Sequence, residues 1–246
     1  AKGSWTLVDG LKDNSSTLIG GGAYPGSPKF ECDENGDPIF QKIGNTVAPV
    51  TGGFGIDLQW KGFDFNAFFN YSLGGDILNG TKLAASFYSD SRKGYNIVDE
   101  YNSSNRYTWV DPQNGLNLGR PSTSTIELYG GAEGIMNRLN EINAGAKVYN
   151  PVAAQKMVVT SDAIEDGSFL RIQNVTLGYT LPAKATKKLL IEKVRFFATG
   201  YNLYCFTNYS GPDPEVDTNN NHMCPAIDYA AHPKSRTVVG GVNITF

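Results

Sequence analysis

The sequence predicts an all-β fold: a section of an antiparallel transmembrane β-barrel, with long loops at one end of the strands and short turns at the other. Three observations carry that expectation. Stretches of about ten residues alternate apolar and polar side chains with a period of two, the length and pattern of a tilted barrel strand with one face toward lipid. The connections between these stretches run long, short, long, short, long: the stretch before Gly52, Lys61-Gly62, Gly74 to Gly167, Pro182 to Glu192, and Thr207 to Ser235. Finally, the sequence has no apolar run of the ~18 residues that a membrane helix needs, so any membrane contact is made by strands.

The 246 residues are 40% hydrophobic, 12% aromatic and 18% charged, enough apolar side chain for a sizeable folded structure. Mean hydropathy is -0.30, which suits a barrel because half of each strand faces water. The 21 basic and 24 acidic residues leave a net charge of -3 and form no basic stripe, so nucleic acid is not an expected partner. Nothing in the sequence asks for a cofactor. Cys32, Cys205 and Cys224 make no CxxC pair and no zinc-spaced cluster. In an oxidising compartment Cys32 and Cys224, both in loop-like sequence, are the candidate disulfide, with free thiols as the plainer reading. The chain begins Ala-Lys-Gly-Ser-Trp without initiator Met or a charged and apolar leader, so a signal peptide is expected to be absent or already removed.

In chain order, Ala1 to Val8 holds at most one short strand, and Asp9 to Pro28 is loop rich in Gly, Ser, Asn and Pro. Within Asp33-Glu34-Asn35-Gly36-Asp37, the Asn-Gly pair predicts a hairpin turn with both central residues at positive φ. A calcium loop is the minor alternative, since Gly36 comes two places early and no Glu stands at the twelfth position. The clearest hairpin follows. Phe54, Ile56, Leu58 and Trp60 alternate with Gly55, Asp57 and Gln59, and beyond Lys61-Gly62 the set Phe63, Phe65, Ala67, Phe69 and Tyr71 alternates with Asp64, Asn66 and Asn70. Trp60 and Phe63 beside the turn, and Tyr71 near the far end, stand where lipid-facing aromatic girdles lie. A soluble sandwich packing the same face on a second sheet is the alternative.

From Gly74 to Gly167 the alternation dissolves into a long polar stretch spotted with aromatics. Ile135, Leu139 and Ile142 are at helical spacing and predict a short amphipathic helix. Tyr107 and Trp109 are candidate contacts for a sugar or a protein partner, or they hold the loop together. Ser168 to Leu181 returns to strand: Leu170 and Ile172 share one phase, Val175, Leu177 and Tyr179 the other, and a β-bulge between Gln173 and Asn174 would restore a single apolar face. Ala183 to Lys188 reads as a short helical turn. Lys193 to Phe206 is a strand with Val194, Phe196 and Ala198 on one face and ambiguous phase past Gly200. Thr207 to Ser235 is a second long loop, in which Tyr209, Asp213 and Glu215 are candidate contacts. Arg236 to Phe246 is the last strand, with Val238, Val242, Ile244 and Phe246 in one phase.

Four motifs in order resemble the C-terminal end of the SusC/RagA family of TonB-dependent outer-membrane transporters: Gly167-Ser168-Phe169-Leu170-Arg171-Ile172-Gln173-Asn174-Val175-Thr176-Leu177-Gly178-Tyr179-Thr180-Leu181-Pro182, then Asn202-Leu203, then Thr207-Asn208-Tyr209-Ser210-Gly211 with Asp213-Pro214-Glu215, and Gly240-Gly241-Val242-Asn243-Ile244-Thr245-Phe246. Pro212 departs from the aromatic that more often follows Gly211 in that family. The resemblance implies a large barrel of about twenty-two strands with a plugged lumen, of which residues 1-246 are the C-terminal section, lacking the plug and the earlier strands. It implies location in the outer membrane, import of a large nutrient (oligosaccharide first, peptide second), and a SusD-like lipoprotein as partner. The TonB complex would be engaged through parts of the protein beyond this chain. The terminal phase of Val238, Val242, Ile244 and Phe246 resembles a barrel-assembly signal.

No catalytic constellation competes with this reading, and a non-enzyme is expected: His222 and His232 share a loop without a Ser/His/Asp order or HExxH spacing. Asp213, Glu215 and Asp217 are spaced for a glycosidase pair or a cation site, but acidic loop turns are commoner. The Asn-x-Ser/Thr triplets at Asn174 and Asn243 fall inside expected strands, unlike glycan acceptors. A soluble β-rich carbohydrate-binding or adhesion module is the alternative function.

Overall fold

A computed structural model describes residues 24-28, 30-86, 96-152, 157-186, 191-218 and 225-246. The chain divides into two compact units, one of Ala1–Lys42 with Lys82–Thr160, the other of Ile43–Thr81 with Ser161–Phe246. The expected short strand within Ala1 to Val8 lies outside the described residues.

The second unit is built on five strands, β1 (Val50–Trp60), β2 (Phe63–Leu73), β5 (Phe169–Thr180), β6 (Lys193–Thr207) and β8 (Thr237–Thr245), in the order β1-β2-β5-β6-β8 with every neighbour antiparallel. The hairpin turn at Lys61 and Gly62 has φ of 46° and 92°, the left-handed pair that a two-residue hairpin loop needs to match strand twist. The predicted bulge is present: Ile172 and Asn174 pair with consecutive residues of β2, Phe69 and Phe68, leaving Gln173 without an opposite number. On β6 the same interruption leaves Asn202 and Leu203 outside the ladder, with Asn202 at φ 51°. Because this second bulge takes up two residues, the phase is kept, and Tyr204 and Phe206 stay on the face already occupied by Phe196 and Ala198. The phase past Gly200 is illegible in the sequence because Tyr201, Leu203 and Cys205 alternate with Tyr204 and Phe206.

Registers then give each face continuous rows. One row runs Leu58, Phe65, Leu177, Ala198, Gly240; the next runs Trp60, Phe63, Tyr179, Phe196, Val242. Leu58, Trp60, Phe63, Leu177, Phe196 and Val242 are all exposed, an apolar surface that a soluble domain would cover. The opposite face carries Asp57, Asp64, Asn66, Asn70, Arg171, Thr176, Arg195 and Thr199.

A second, three-stranded sheet in the same unit was not anticipated: β3 (Asp76–Asn79) pairs antiparallel with β4 (Ile164–Asp166) and parallel with β7 (Ile227–Asp228). These strands of two to four residues fall in stretches expected to be loop, and they are too short to show a period. Helix α1 (Gly80–Ala85) follows β3, and α4 (Ala183–Thr186) occupies the start of the predicted helical turn.

The first unit carries α2 (Thr123–Leu128) and α3 (Ala132–Ile142). Ser122 caps α2 by accepting from the Thr125 amide at 3.2 Å. The helical spacing expected of α3 holds: Ile135 and Leu139, four apart, are fully buried with Leu118 and form a small core of their own. The expected hairpin forms at Asp33-Asp37, with an antiparallel bridge between Cys32 and Pro38 and the Ile39 amide donating to the Glu31 carbonyl at 2.8 Å, but its turn differs from expectation. Of its residues only Gly36 has positive φ, and the Asp33 side chain accepts from the amides of Asn35 and Asp37, both at 2.9 Å. A side-chain-organised turn replaces the two-residue hairpin loop.

Candidate functional site

Within the second unit both faces of the large sheet are candidates for function. On the apolar face, Trp60 and Phe63 flank the Lys61-Gly62 turn, and the row continues through Tyr179, whose ring lies 4.4 Å from that of Phe63, to Phe196. Lys61 Nζ sits 4.9 Å over the Trp60 ring, a cation held against an amphipathic aromatic. At the far end Tyr71 pairs with Leu170, Leu170 with Phe206, and the Tyr204 and Phe206 rings meet at 4.6 Å. Sequence reading missed Tyr179 and Phe196 as members of the first row, although both were in phase; Tyr204 and Phe206 were hidden because Tyr201, Leu203 and Cys205 make the other phase apolar too. Val238, Val242 and Ile244 share the apolar face, opposite Gly200, Phe196 and Val194. The strand ends at Thr245, one residue short of the expected boundary, and Phe246 is 85% exposed just beyond it.

The polar face is tied by hydrogen bonds across strands. Near the turn end, Asn66 Nδ2 donates to Asp57 Oδ1 at 2.6 Å, and Arg195 donates through Nε (2.9 Å) and Nη2 (2.5 Å) to the two oxygens of Asp64. A hollow of about 530 Å³ lies here, its lining including Asp57, Gln59, Asp64, Asn66, Lys193 and Arg195. Midway, the hydroxyls of Thr176 and Thr199 meet at 2.9 Å. At the other end, Arg171 is 3% exposed and is clamped by the loop after β6: Nη2 donates to Asp213 Oδ1 and Nε to Glu215 Oε2, each at 2.5 Å.

Asp213 also accepts from the backbone amides of Glu215 and Lys234, both at 3.0 Å. Burial works against its charge, but these amides and Arg171 outweigh it and hold the carboxyl below the usual carboxylate range. Lys234 Nζ lies 3.0 Å from Glu215, and Asn70 Nδ2 donates to Glu215 Oε1 at 3.4 Å. Nearby, the Tyr209 hydroxyl donates to Asp228 at 2.7 Å; burial and that carboxylate push the phenol well above its ordinary range. Ser210 donates from its amide and hydroxyl to Glu165, both at 2.8 Å.

These geometries correct several expectations. Trp109 is 6% exposed, packs on Tyr24 with ring centroids 5.7 Å apart, and donates from Nε1 to the Pro25 carbonyl at 2.7 Å. Its surface is consumed inside the first unit, where it holds the fold instead of meeting a partner. Tyr107 is half-buried against the Leu118, Ile135 and Leu139 core. Tyr209 and Asp213 are buried, and both Asp213 and Glu215 are engaged by Arg171, so the pair is an anchor and not an acid and base facing a substrate. Cys205 is a free thiol, while Cys224, half of the candidate disulfide, lies outside the described residues. Also in the first unit, Asp111 accepts from Arg138 Nε (2.7 Å) and Nη2 (2.9 Å) and from the Tyr129 hydroxyl (2.7 Å). Those hydrogen bonds, Arg138 first, hold the Asp111 carboxyl far below the carboxylate range despite burial.

No family model matches the chain. Over most of its length, however, it is homologous to TonB-dependent receptors. It is 29% identical over 240 residues to TonB-dependent receptor P3 of Formosa agariphila, an alignment covering 94% of this chain and 20% of that protein. With TonB-dependent receptor P39 of the same organism it shares 25% identity over 221 residues, 87% of this chain and 18% of the relative. The chain thus spans about a fifth of the curated relatives it matches. A structure of the RagAB peptide transporter matches its fold with a TM-score of 0.56 and 19% identity, over 88% of this chain and 19% of that one.

Proposed function

We propose that this chain is the C-terminal section of a SusC/RagA-type TonB-dependent transporter of the outer membrane, contributing barrel strands β1, β2, β5, β6 and β8 and the long connections between them. The observation that carries this reading is the two-sidedness of the sheet, apolar rows bounded by aromatics on one face and a hydrogen-bonded ionic network on the other. From Phe63 to Tyr71 is eight steps, about 27 Å along a strand, or about 21 Å of height at a tilt of about 40°. Ring reach at both ends brings that close to the about 25 Å apolar band of outer-membrane barrels. The homology to TonB-dependent receptors supports the same conclusion.

In the whole protein, energy passed from the TonB complex drives import of a large nutrient, with a SusD-like surface lipoprotein as partner. An oligosaccharide is the first cargo class and a peptide the second. The test uses the full-length protein. It should fractionate with the outer membrane, show heat-modifiable gel migration, co-purify with a SusD-like lipoprotein, and support TonB-dependent uptake of labelled oligosaccharide or peptide. Recovery in buffer without detergent, with no heat-modifiable form, would end this reading.

A further inference from the structure

The third sequence motif, Asp213-Pro214-Glu215, has no role in an import reading by itself, yet its two carboxylates meet the arginine of the first motif. We infer that Arg171 and Asp213-Pro214-Glu215 form a latch that holds the loop after β6 against the polar face of the sheet. Arg171 offers its Nε and Nη2 edges to two different carboxylates, each at 2.5 Å, so one planar guanidinium fixes two points on the loop. Asp213 relays the grip to the far end of the loop, because its other oxygen accepts from the Lys234 amide at 3.0 Å, and Lys234 Nζ closes on Glu215 at 3.0 Å. Two cations therefore face two anions, and the cluster is neutral, which makes its burial tolerable.

Other ties of this loop, among them Tyr209 to Asp228, Ser210 to Glu165 and the Ala230 amide to Thr81, run to the small sheet, to helix α1 or within the loop itself. Midway along the loop the tie to the large sheet is made by Arg171 on β5, supported by Asn70 on β2, while at its far end Asn202 on β6 donates to the Ser235 carbonyl at 3.1 Å. Breaking the guanidinium contact leaves the buried Asp213 without its strand partner and the half-buried Glu215 with Asn70 and Lys234, so the segment around Asp213, Glu215 and Lys234 should leave the sheet. That much is independent of the membrane reading. The consequence that the latch keeps this loop drawn in along a lumenal passage rests on the proposed function.

Lys234 supplies a built-in reporter, since trypsin must take its side chain and the bond to Ser235 out of the latch. The full-length protein in detergent is digested briefly, and cleavage after Lys234 is compared with cleavage after Lys147 in the first unit. Arg171 does not touch Lys234 in the interactions described, so any effect of its substitution travels through the carboxylates. Arg171→Gln should speed cleavage after Lys234 by about tenfold and leave Lys147 unchanged. Adding Asp213→Asn to Arg171→Gln should bring little further increase, because the two residues act as one device. A rate within twofold of the parent, or fully multiplicative effects, would overturn the latch. If Arg171→Gln does not assemble, Arg171→Lys carries the test: it reaches one carboxylate, and about threefold faster cleavage supports the latch while the parental rate refutes it. Heat-modifiable migration of the parent reports separately on the barrel reading, so the two can fail independently.

Discussion

Leu177 offers the sharpest test of which medium faces the apolar rows. It lies between Phe65 and Ala198, one row inward from the aromatic row of Phe63, Tyr179 and Phe196, and is 55% exposed. For a water-facing position of that kind, Leu177→Arg should change stability by no more than about 0.5 kcal/mol, as surface substitutions usually do. Facing hydrocarbon, the same change places a charge about 5 Å inside the aromatic row and should cost about 1–2 kcal/mol, since Arg costs about 2–4 kcal/mol at the midplane and about 0–1 near the interfaces. The assay is urea-dependent folding of the full-length barrel into lipid vesicles. Gln59→Arg, at an exposed position on the opposite face, should stay within about 0.5 kcal/mol and serves as the control. Equal and small effects of the two substitutions would refute the lipid-facing assignment.

Three further outcomes are expected. Phe246→Asp should reduce the amount of protein assembled in the outer membrane while leaving cargo affinity of the assembled fraction unchanged; normal assembly would count against a signal at the terminus. Asn202 holds φ 51° and donates to the Ser235 carbonyl at 3.1 Å, so Asn202→Val, which adds a β-branched side chain in the left-handed region, should destabilise by about 1–3 kcal/mol. Asn202→Gly should cost less, as measured by the same urea titration. Asp111 and Asp213 have folded values depressed below the ordinary 3.8. The stability they contribute is therefore complete above that ordinary value and is lost as pH falls through their lower folded values. Hydrogen-exchange protection of α3 should hold from neutral pH down to about 4 and decline only below it; loss between pH 7 and 5 would contradict the Asp111 network.

Much of the large sheet was legible because strand periodicity is local: alternate side chains must point to opposite faces, so Phe54 to Trp60 and Phe63 to Tyr71 declare their faces within a few residues. The bulge at Gln173 was legible for the same reason, as a slip in phase. Ile135 and Leu139 likewise announced α3 by their spacing. The second bulge was not, because Tyr201, Leu203 and Cys205 alternate with Tyr204 and Phe206 and both phases read as apolar. The small sheet of β3, β4 and β7 was invisible, since its strands come from three distant stretches and none is long enough to establish a period.

The sites divide along the same line. Composition and phase were sufficient to place Trp60, Phe63, Tyr71, Val238, Val242 and Ile244 on one face, because facing is fixed by the strand that carries the residue. Whether a loop aromatic or carboxylate is free or engaged depends on partners far away in sequence. Trp109 was claimed by Pro25, 84 residues earlier, and Asp213 by Arg171, 42 residues earlier. The sequence alone determined an all-β, two-faced wall with long connections at one end. Tertiary structure decided that most of the conspicuous loop residues serve to hold those connections, because only long-range contacts can bury a tryptophan or neutralise a pair of carboxylates.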